Sequence, residues 1–315
     1  WHRGRLARVD AQRRVAVTDG GRELGYDELV VAVGARAEPA WRSPDVLTYR
    51  DARDAADFGR LLRLLEAGKV TRVAFVEPEG PSWPLPLYEL AFAAAAGNDA
   101  ALTFVTPAPA PLAVFGTEAS ATVAGALREA GVQLELETVA APSRPGRLHL
   151  APGDRRLEVD RVVTIPPLTG PAIDGVPCDD AGFIPTDRHG RVLGVRDVYA
   201  AGDATTFPVK QGGLAAEQAD AIAEVIAAAA GAPVFPRPFR PVLRGLLRMN
   251  GVPHYMRAPL TGGRATISQE PLWSPPNRVG GRYLAPYLSR IGGAGVMWEQ
   301  GTADGAADEL VDLSQ

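Results

Sequence analysis

Residues 70–136 run strand, helix, strand, helix, strand, and that order constrains the fold more than any other feature of the chain. The apolar runs at 70–76, 102–105 and 132–136 are short and do not alternate with polar residues, as in strands buried on both faces. Helical composition fills the gaps at 87–96 and 117–130, with Thr117 as an N-cap candidate and Gly131 as the stop. Strands separated by helices in this way pair in parallel, with right-handed crossovers, and wind a sheet covered on both sides. A helix at 51–67, with Leu61, Leu62, Leu64 and Leu65 on its apolar face, leads into the first of these strands.

Two further buried-strand signals flank this block and lie far apart in the chain. One is Tyr26-Asp27-Glu28-Leu29-Val30-Val31-Ala32-Val33-Gly34-Ala35. The other is Asp197-Val198-Tyr199-Ala200-Ala201, ending in Gly202-Asp203. Residues 6–9 and 15–17 alternate before the turn Asp19-Gly20-Gly21, as hairpin strands do. Residues 147–165 read as short strands around Pro152-Gly153-Asp154, and Gly212-Gly213 opens a long helix over 214–230. From Pro233 the texture changes to prolines, arginines and aromatics, with strand-like pieces near Tyr255 and Thr266. The expected units are therefore 1–40, 41–160, 161–232 and 233–315, the first and third being two parts of one domain split by the second.

Composition removes several classes of function. The 37 acids outnumber the 33 bases, and the net charge of −4 is no electrostatic footprint for nucleic acid. Four scattered histidines and one cysteine, Cys178, have no metal-ligand spacing and allow no internal disulfide. No apolar run reaches the roughly 18 residues of a membrane span, and no signal peptide is visible, so the expected location is the cytoplasm. Only two of the 33 bases are lysines, Lys69 and Lys210, which makes each one more informative than usual.

The buried strand ending at Gly34-Ala35, the later Gly202-Asp203 and the adjoining Lys210-Gln211-Gly212-Gly213-Leu214-Ala215-Ala216-Glu217-Gln218 occur in one fixed order. In this the chain resembles the two-dinucleotide-binding-domain flavoproteins of the pyridine-nucleotide-dependent oxidoreductase superfamily, most of all the sulfide:quinone oxidoreductase and type II NADH dehydrogenase branch. The resemblance spans most of the chain. It implies an α/β fold with Rossmann-like parallel sheets. A flavin domain would be split by an inserted NAD(P)-type domain and followed by a small C-terminal α+β unit. It implies FAD, a small-molecule electron donor, and a quinone-like or other acceptor. It also implies a C-terminal part that covers the flavin, with Trp273, Tyr283 and Tyr287 lining an acceptor pocket or serving as core and homodimer-contact aromatics.

By the same resemblance Asp203 accepts from the ribityl hydroxyls of FAD, Gly202 lets backbone approach it, and Gly34 ends its strand beside the junction where the chain leaves the flavin domain. Gln211, Gly212 and Gly213 bring a helix N-terminus, with about half a positive charge, to the pyrimidine edge of the flavin, and Lys210 adds a second positive charge there. Glu89, in Tyr88-Glu89-Leu90-Ala91, resembles the family's glutamate near the flavin, as a proton relay or polar wall. Without the resemblance, Gly202-Asp203 reads as a turn, Lys210 as a solvated charge and Glu89 as an interdomain ion pair.

The sequence departs from the family at two places. The inserted domain lacks Gly-x-Gly-x-x-Gly; its first strand-to-helix turn is Glu77-Pro78-Glu79-Gly80-Pro81-Ser82-Trp83-Pro84, and Val105 is followed by Thr106-Pro107 in place of an acidic residue. That speaks against NAD(P)H in the usual pose, so ordinary NAD(P)H dehydrogenation stands only as a second alternative. The flavin's own pyrophosphate turn is not found either. Gly293-Ala294-Gly295 comes near it, but Trp298 takes the third glycine's place. The family's first βαβ unit would precede Leu6, so the expectation is that these 315 residues alone bind FAD weakly or not at all. A single cysteine does not make the disulfide of sulfur-carrying chemistry, and Cys178 is read as a bystander. Two readings stay open: an FAD-dependent oxidoreductase or its C-terminal portion, and a non-catalytic module that keeps the fold without stable FAD.

Overall fold

The computed structural model describes residues 2–273 and 281–291. Residues 274–280 and the near-miss glycines Gly293 and Gly295 lie outside them. The chain opens with an antiparallel meander of β1 (Leu6–Asp10), β2 (Val15–Thr18) and β3 (Glu23–Gly25). β4 (Leu29–Val31) follows, and the short β5 (Arg36–Ala37) leads away from it. Then come β6 (Val46–Thr48), α1 (Ala55–Glu66), β7 (Arg72–Val76), α2 (Leu85–Ala95), β8 (Ala101–Val105), α3 (Gly116–Glu129) and β9 (Val132–Glu135). A second meander of β10 (Val139–Arg144), β11 (Arg147–Ala151) and β12 (Arg155–Glu158) precedes β13 (Arg161–Thr164).

Five of these strands form one parallel sheet in the order β6-β13-β7-β8-β9. This is the wound sheet that the strand–helix alternation specified. β13 belongs to it, so the middle unit runs past residue 160 to Thr164. Helix α3 starts at Gly116, whose φ of +85° turns the chain into it. Thr117 therefore sits inside the first turn and caps nothing, because glycine rather than a hydroxyl makes the entry.

After the middle sheet, β14 (Leu168–Thr169) pairs antiparallel with β5, so the outgoing and returning chains are tied together. β15 (Val198–Ala200) then pairs in parallel with β4, placing two strands over 160 residues apart side by side. The long helix α4 (Gly212–Ala229) covers β15. An antiparallel sheet of β16 (Val242–Met249), β17 (Val252–Pro259) and β18 (Thr266–Ser268) and the helix α5 (Leu284–Ile291) end the described chain.

Two of the four buried clusters join parts of the chain that are far apart in sequence. The smaller joins Val9 and Val31 to Ile173, Ile184, Val192 and Val198, from both sides of the middle unit. The larger contains Phe75, Tyr88, Phe104, Phe115 and Leu127 of the middle unit together with Leu243, Leu247 and Met256 of β16 and β17. The C-terminal sheet is therefore packed into the middle unit's core rather than standing as a separate unit. Gly245 of β16 makes the fit possible, since a Cβ there would lie 2.6 Å from Phe115 Cζ and 2.9 Å from Leu85 Cδ1. Residues 281–283 are fastened to α4 by two buried carboxylates. Asp220 accepts from the Arg282 and Tyr283 amides, and Glu224 takes the Arg237 and Arg282 guanidinium groups and the Tyr283 hydroxyl.

Gly175 locks the segment 173–176 onto β1. Its φ is +78°, and a Cβ would lie 1.9 Å from Val9 O, while Val9 N donates to Asp174 O. Gly175→Ala is expected to cost at least about 2 kcal/mol by overpacking and strain. Gly125→Ala, on α3 where a Cβ meets nothing within 4 Å, is expected to add up to about 1 kcal/mol of stability through helix propensity. Urea unfolding of the two variants beside the wild type checks both signs.

Candidate functional site

β4 and β15 run in the same direction, so the chain leaves both at one end, at Gly34 and at Gly202. That end of a parallel sheet is where its backbone amides and loops meet a ligand. Gly34 has φ +73° and open space in front of the position of a Cβ. Gly202 also has φ +73°, and a Cβ there would come within 3.2 Å of Ala215 Cβ in α4. The turn Gly202–Ala204 is thus reserved for glycine at its first residue, both by conformation and by the closeness of the helix.

Two side chains and a hydroxyl hold this turn from below. Gln218 of α4 accepts the Gly202 amide at Oε1, 2.6 Å away, and its Nε2 lies 3.4 Å from Thr205 Oγ1. The Thr205 hydroxyl donates to Gly202 O at 2.9 Å. Lys210, only 2% exposed, donates from Nζ to Asp203 O at 3.2 Å and to Thr205 O. The ammonium also lies 3.7 Å from the centre of the Phe183 ring. Burial pulls Lys210 down to about 8, opposed by the charge of Asp203. The Asp203 carboxyl is pushed above its ordinary value by burial, opposed by Lys210. Its backbone carbonyl is used, but none of the described hydrogen bonds ends on its carboxylate oxygens.

At the start of α4, Gln211 is the N-cap, its Oε1 accepting from Leu214 N at 2.9 Å. The amides of Gly212 and Gly213 fall in the first turn, where a helix supplies no carbonyl partner. A Cβ at Gly212 would meet nothing within 4 Å. Gly202, Asp203, Lys210, Gln211, Gly212 and Gly213 lie between the end of β15 and the first turn of α4, and Gly34 follows β4, the parallel partner of β15. Lys210 points its ammonium into the turn carbonyls, underneath Asp203. Glu89 lies on α2, where its charge is felt by Tyr49.

The crevice at the end of β7 has a different chemistry. Thr106 donates to Glu77 Oε2 at 2.7 Å, and burial holds the Glu77 carboxyl above its ordinary value. Tyr88, stacked on Phe104 at 4.2 Å between ring centres, accepts the Leu112 amide at its hydroxyl, 3.3 Å away. Pro84 is the N-cap of α2 and Pro86 sits in its first turn, so two amides of this helix start are missing. Trp83 meets the Phe115 ring edge to face at 6.1 Å. A helix start that would hold a pyrophosphate is replaced by an acid, two prolines and an indole.

Gln218 ends the third motif but carried no assigned role, and Thr205 and Phe183 lie outside the trio. Gln218 carried a readable signal: an amide on the helix face otherwise made of Leu214, Ala221, Ile222 and Val225. Cys178 is exposed, and no described hydrogen bond or ion pair involves its thiol.

The family model for pyridine nucleotide-disulphide oxidoreductases matches residues 88–258. No curated protein matches the sequence. Among solved structures, the sulfide:quinone oxidoreductase of the hyperthermophilic bacterium Aquifex aeolicus superposes with a TM-score of 0.72 at 16% identity, over 84% of this chain and 70% of that one. The ferredoxin reductase for the CYP199A2 system of Rhodopseudomonas palustris gives 0.58 at 22% identity, over 81% of this chain but only 63% of its own. A chain of the Tetrahymena thermophila mitochondrial ATP synthase gives 0.61 at 14% identity, over 92% and 76% of the two chains. At these identities the likeness is one of fold.

The buried ammonium has a consequence for stability. The folded value of about 8 lies below the ordinary 10.5. Between those two pH values the unfolded chain binds the extra proton, so the Lys210 contribution to stability rises with pH across that window. Wild-type urea stability minus that of Lys210→Met should increase from pH 8 to 10.5 by roughly 1–3 kcal/mol. A flat difference would mean that the ammonium is not desolvated.

Proposed function

The chain belongs to the pyridine nucleotide-disulphide oxidoreductase family, and from that premise we propose that it is an FAD-dependent oxidoreductase, or the C-terminal portion of one, passing two electrons from a small-molecule donor to a quinone-like or other acceptor. The observation that carries this is the Asp203 carboxylate. It is an acceptor-only group at a strand end, on a turn fastened by Gln218, Thr205 and Lys210, while its own oxygens have no described donor. Ribityl hydroxyls are donors of the required kind. The open space before Gly34 and Gly212 fits a group that approaches backbone closely.

FAD, when bound, supplies the two-electron chemistry. The protein's part is to bind and polarise. Asp203 takes the ribityl hydroxyls. The Gly212 and Gly213 amides, with the positive end of α4, favour negative charge on the ring system. Lys210 contributes by holding the Asp203 turn and by placing a positive charge beneath it.

β4 supports a further element of this reading. Its composition is that of a strand covered on both faces, yet Val30 is 42% and Val33 53% exposed. One edge is paired with β15 and the other is free among the described residues. A strand and helix of the kind that carries Gly-x-Gly-x-x-Gly would cover this surface in the flavin-loaded protein.

The β7 crevice argues against NAD(P)H as donor. Phosphate needs amide donors and meets the Glu77 carboxyl and proline nitrogens instead. A second reading, a non-catalytic module, is favoured by the likeness to a chain of the ATP synthase, where the same fold forms part of a large assembly.

Mixing with FAD and then NADH without oxygen separates these readings. The oxidoreductase reading expects the flavin spectrum to shift on mixing with the protein, to persist on adding NADH and to bleach with dithionite. Rapid bleaching by NADH would overturn the proposed donor class. An unshifted flavin spectrum at saturating protein would favour the non-catalytic module.

A further inference from the structure

On the edge of β15 away from β4, residues 186–192 fold back along the strand, with a bridge between Arg191 and Tyr199 and a bond from Ala200 N to Gly190 O of 2.9 Å. Between this segment, α4 and the chain entering β16 lies a cavity of about 250 Å³ lined by Thr186, Arg188, Thr206, Phe207, Gln218 and Phe239. Asp203 is not among its lining residues.

Its walls have two chemistries. Phe207 and Phe239 meet edge to face at 5.2 Å and 73°, both half-buried, and form an apolar side. The polar side carries one cation. The neighbouring carboxylate, Asp187, is already engaged: its Oδ1 accepts from the amides of His189 at 2.7 Å and Arg191 at 3.0 Å, and its Oδ2 faces the Arg191 guanidinium at 3.6 Å. No described hydrogen bond or ion pair involves the Arg188 guanidinium, nor the hydroxyls of Thr186 and Thr206. Gln218 closes the floor, and its amide oxygen is taken by Gly202 N.

Arg188, Thr186 and Thr206 line this one cavity, and a guanidinium with hydroxyls matches a carboxylate, which accepts two parallel N–H bonds from arginine and has lone pairs left for hydroxyl donors. The paired phenyl rings match a planar ring, packed edge or face on. The volume selects for size, since it lies below the roughly 300–1,000 Å³ of pockets for drug-sized ligands. A dinucleotide does not fit, and a single ring does. We propose that this cavity is a binding site for small aromatic carboxylates, with Arg188 as the residue that recognises the anion. The site does not rest on flavin binding, because none of its walls is assigned to the cofactor.

The probe is 4-fluorobenzoate, followed by fluorine NMR of the purified protein without added cofactor. Saturable broadening is expected, reversed by unlabelled benzoate. Arg188→Gln, at an exposed side chain, should fold as the wild type does by circular dichroism and weaken binding roughly tenfold or more. Arg264→Gln, a distant exposed arginine, should leave it unchanged. Neutral 4-fluorobenzyl alcohol should bind roughly tenfold more weakly than the acid. Inorganic phosphate should compete poorly, because it gains nothing from the rings. Absence of saturable broadening, wild-type affinity in Arg188→Gln, an equal loss in Arg264→Gln, equal binding of the alcohol, or phosphate displacing the probe as well as benzoate does would each overturn the assignment.

Discussion

A lysine ammonium held under backbone carbonyls is the interaction on which the rest of the site depends. Lys210 has no carboxylate oxygen within bonding reach; it is held by the carbonyls of Asp203 and Thr205 and by the Phe183 ring. Such a charge is costly to bury unless its donors are used. The Gly202–Thr205 turn supplies acceptors because its carbonyls face inward. In return the turn has one shape, fastened also by Gln218 on the Gly202 amide. Asp203 is then left on a fixed backbone with no described donor on its carboxylate oxygens. A group held in this way binds a donor without first paying to be ordered.

The two strand-end crevices of the molecule have opposite polarity. The β15 crevice combines one acceptor, Asp203, with free amides at the start of α4. The β7 crevice has lost amides at Pro84 and Pro86 and gained a buried acid at Glu77. Both sit at the same topological position of a parallel sheet, so the difference lies in side chains and prolines rather than in fold. The middle unit's compensating role is structural. Its core takes in β16 and β17, and Phe115 packs against Gly245 as well as against Trp83.

Much of this was legible in the sequence because it is local. Apolar runs of 4–5 residues between helices gave the middle sheet, and the separated runs at Leu29 and Val198 gave the split domain that their parallel pairing now shows. What was not legible is what depends on partners far away. The strand pattern near Tyr255 does not reveal that β16 and β17 share a core with Phe115 and Leu127. Thr117 looked like a cap because its chemistry suits one, but Gly116 had already made the turn. Lys210 was singled out by rarity, yet only the coordinates show its ammonium turned into carbonyls. The free guanidinium of Arg188 emerges only once Asp187 is seen to be occupied by Arg191.

The account stands or falls on Asp203 as the acceptor for a flavin's ribityl chain. Quenching of FAD fluorescence, titrated with the wild type and with Asp203→Ala, tests this most directly. Weak but saturable quenching by the wild type is predicted, with the affinity of Asp203→Ala lower by roughly tenfold or more, as for loss of a hydrogen bond to a charged group. Equal affinity of the two proteins, or no quenching by the wild type, would contradict it.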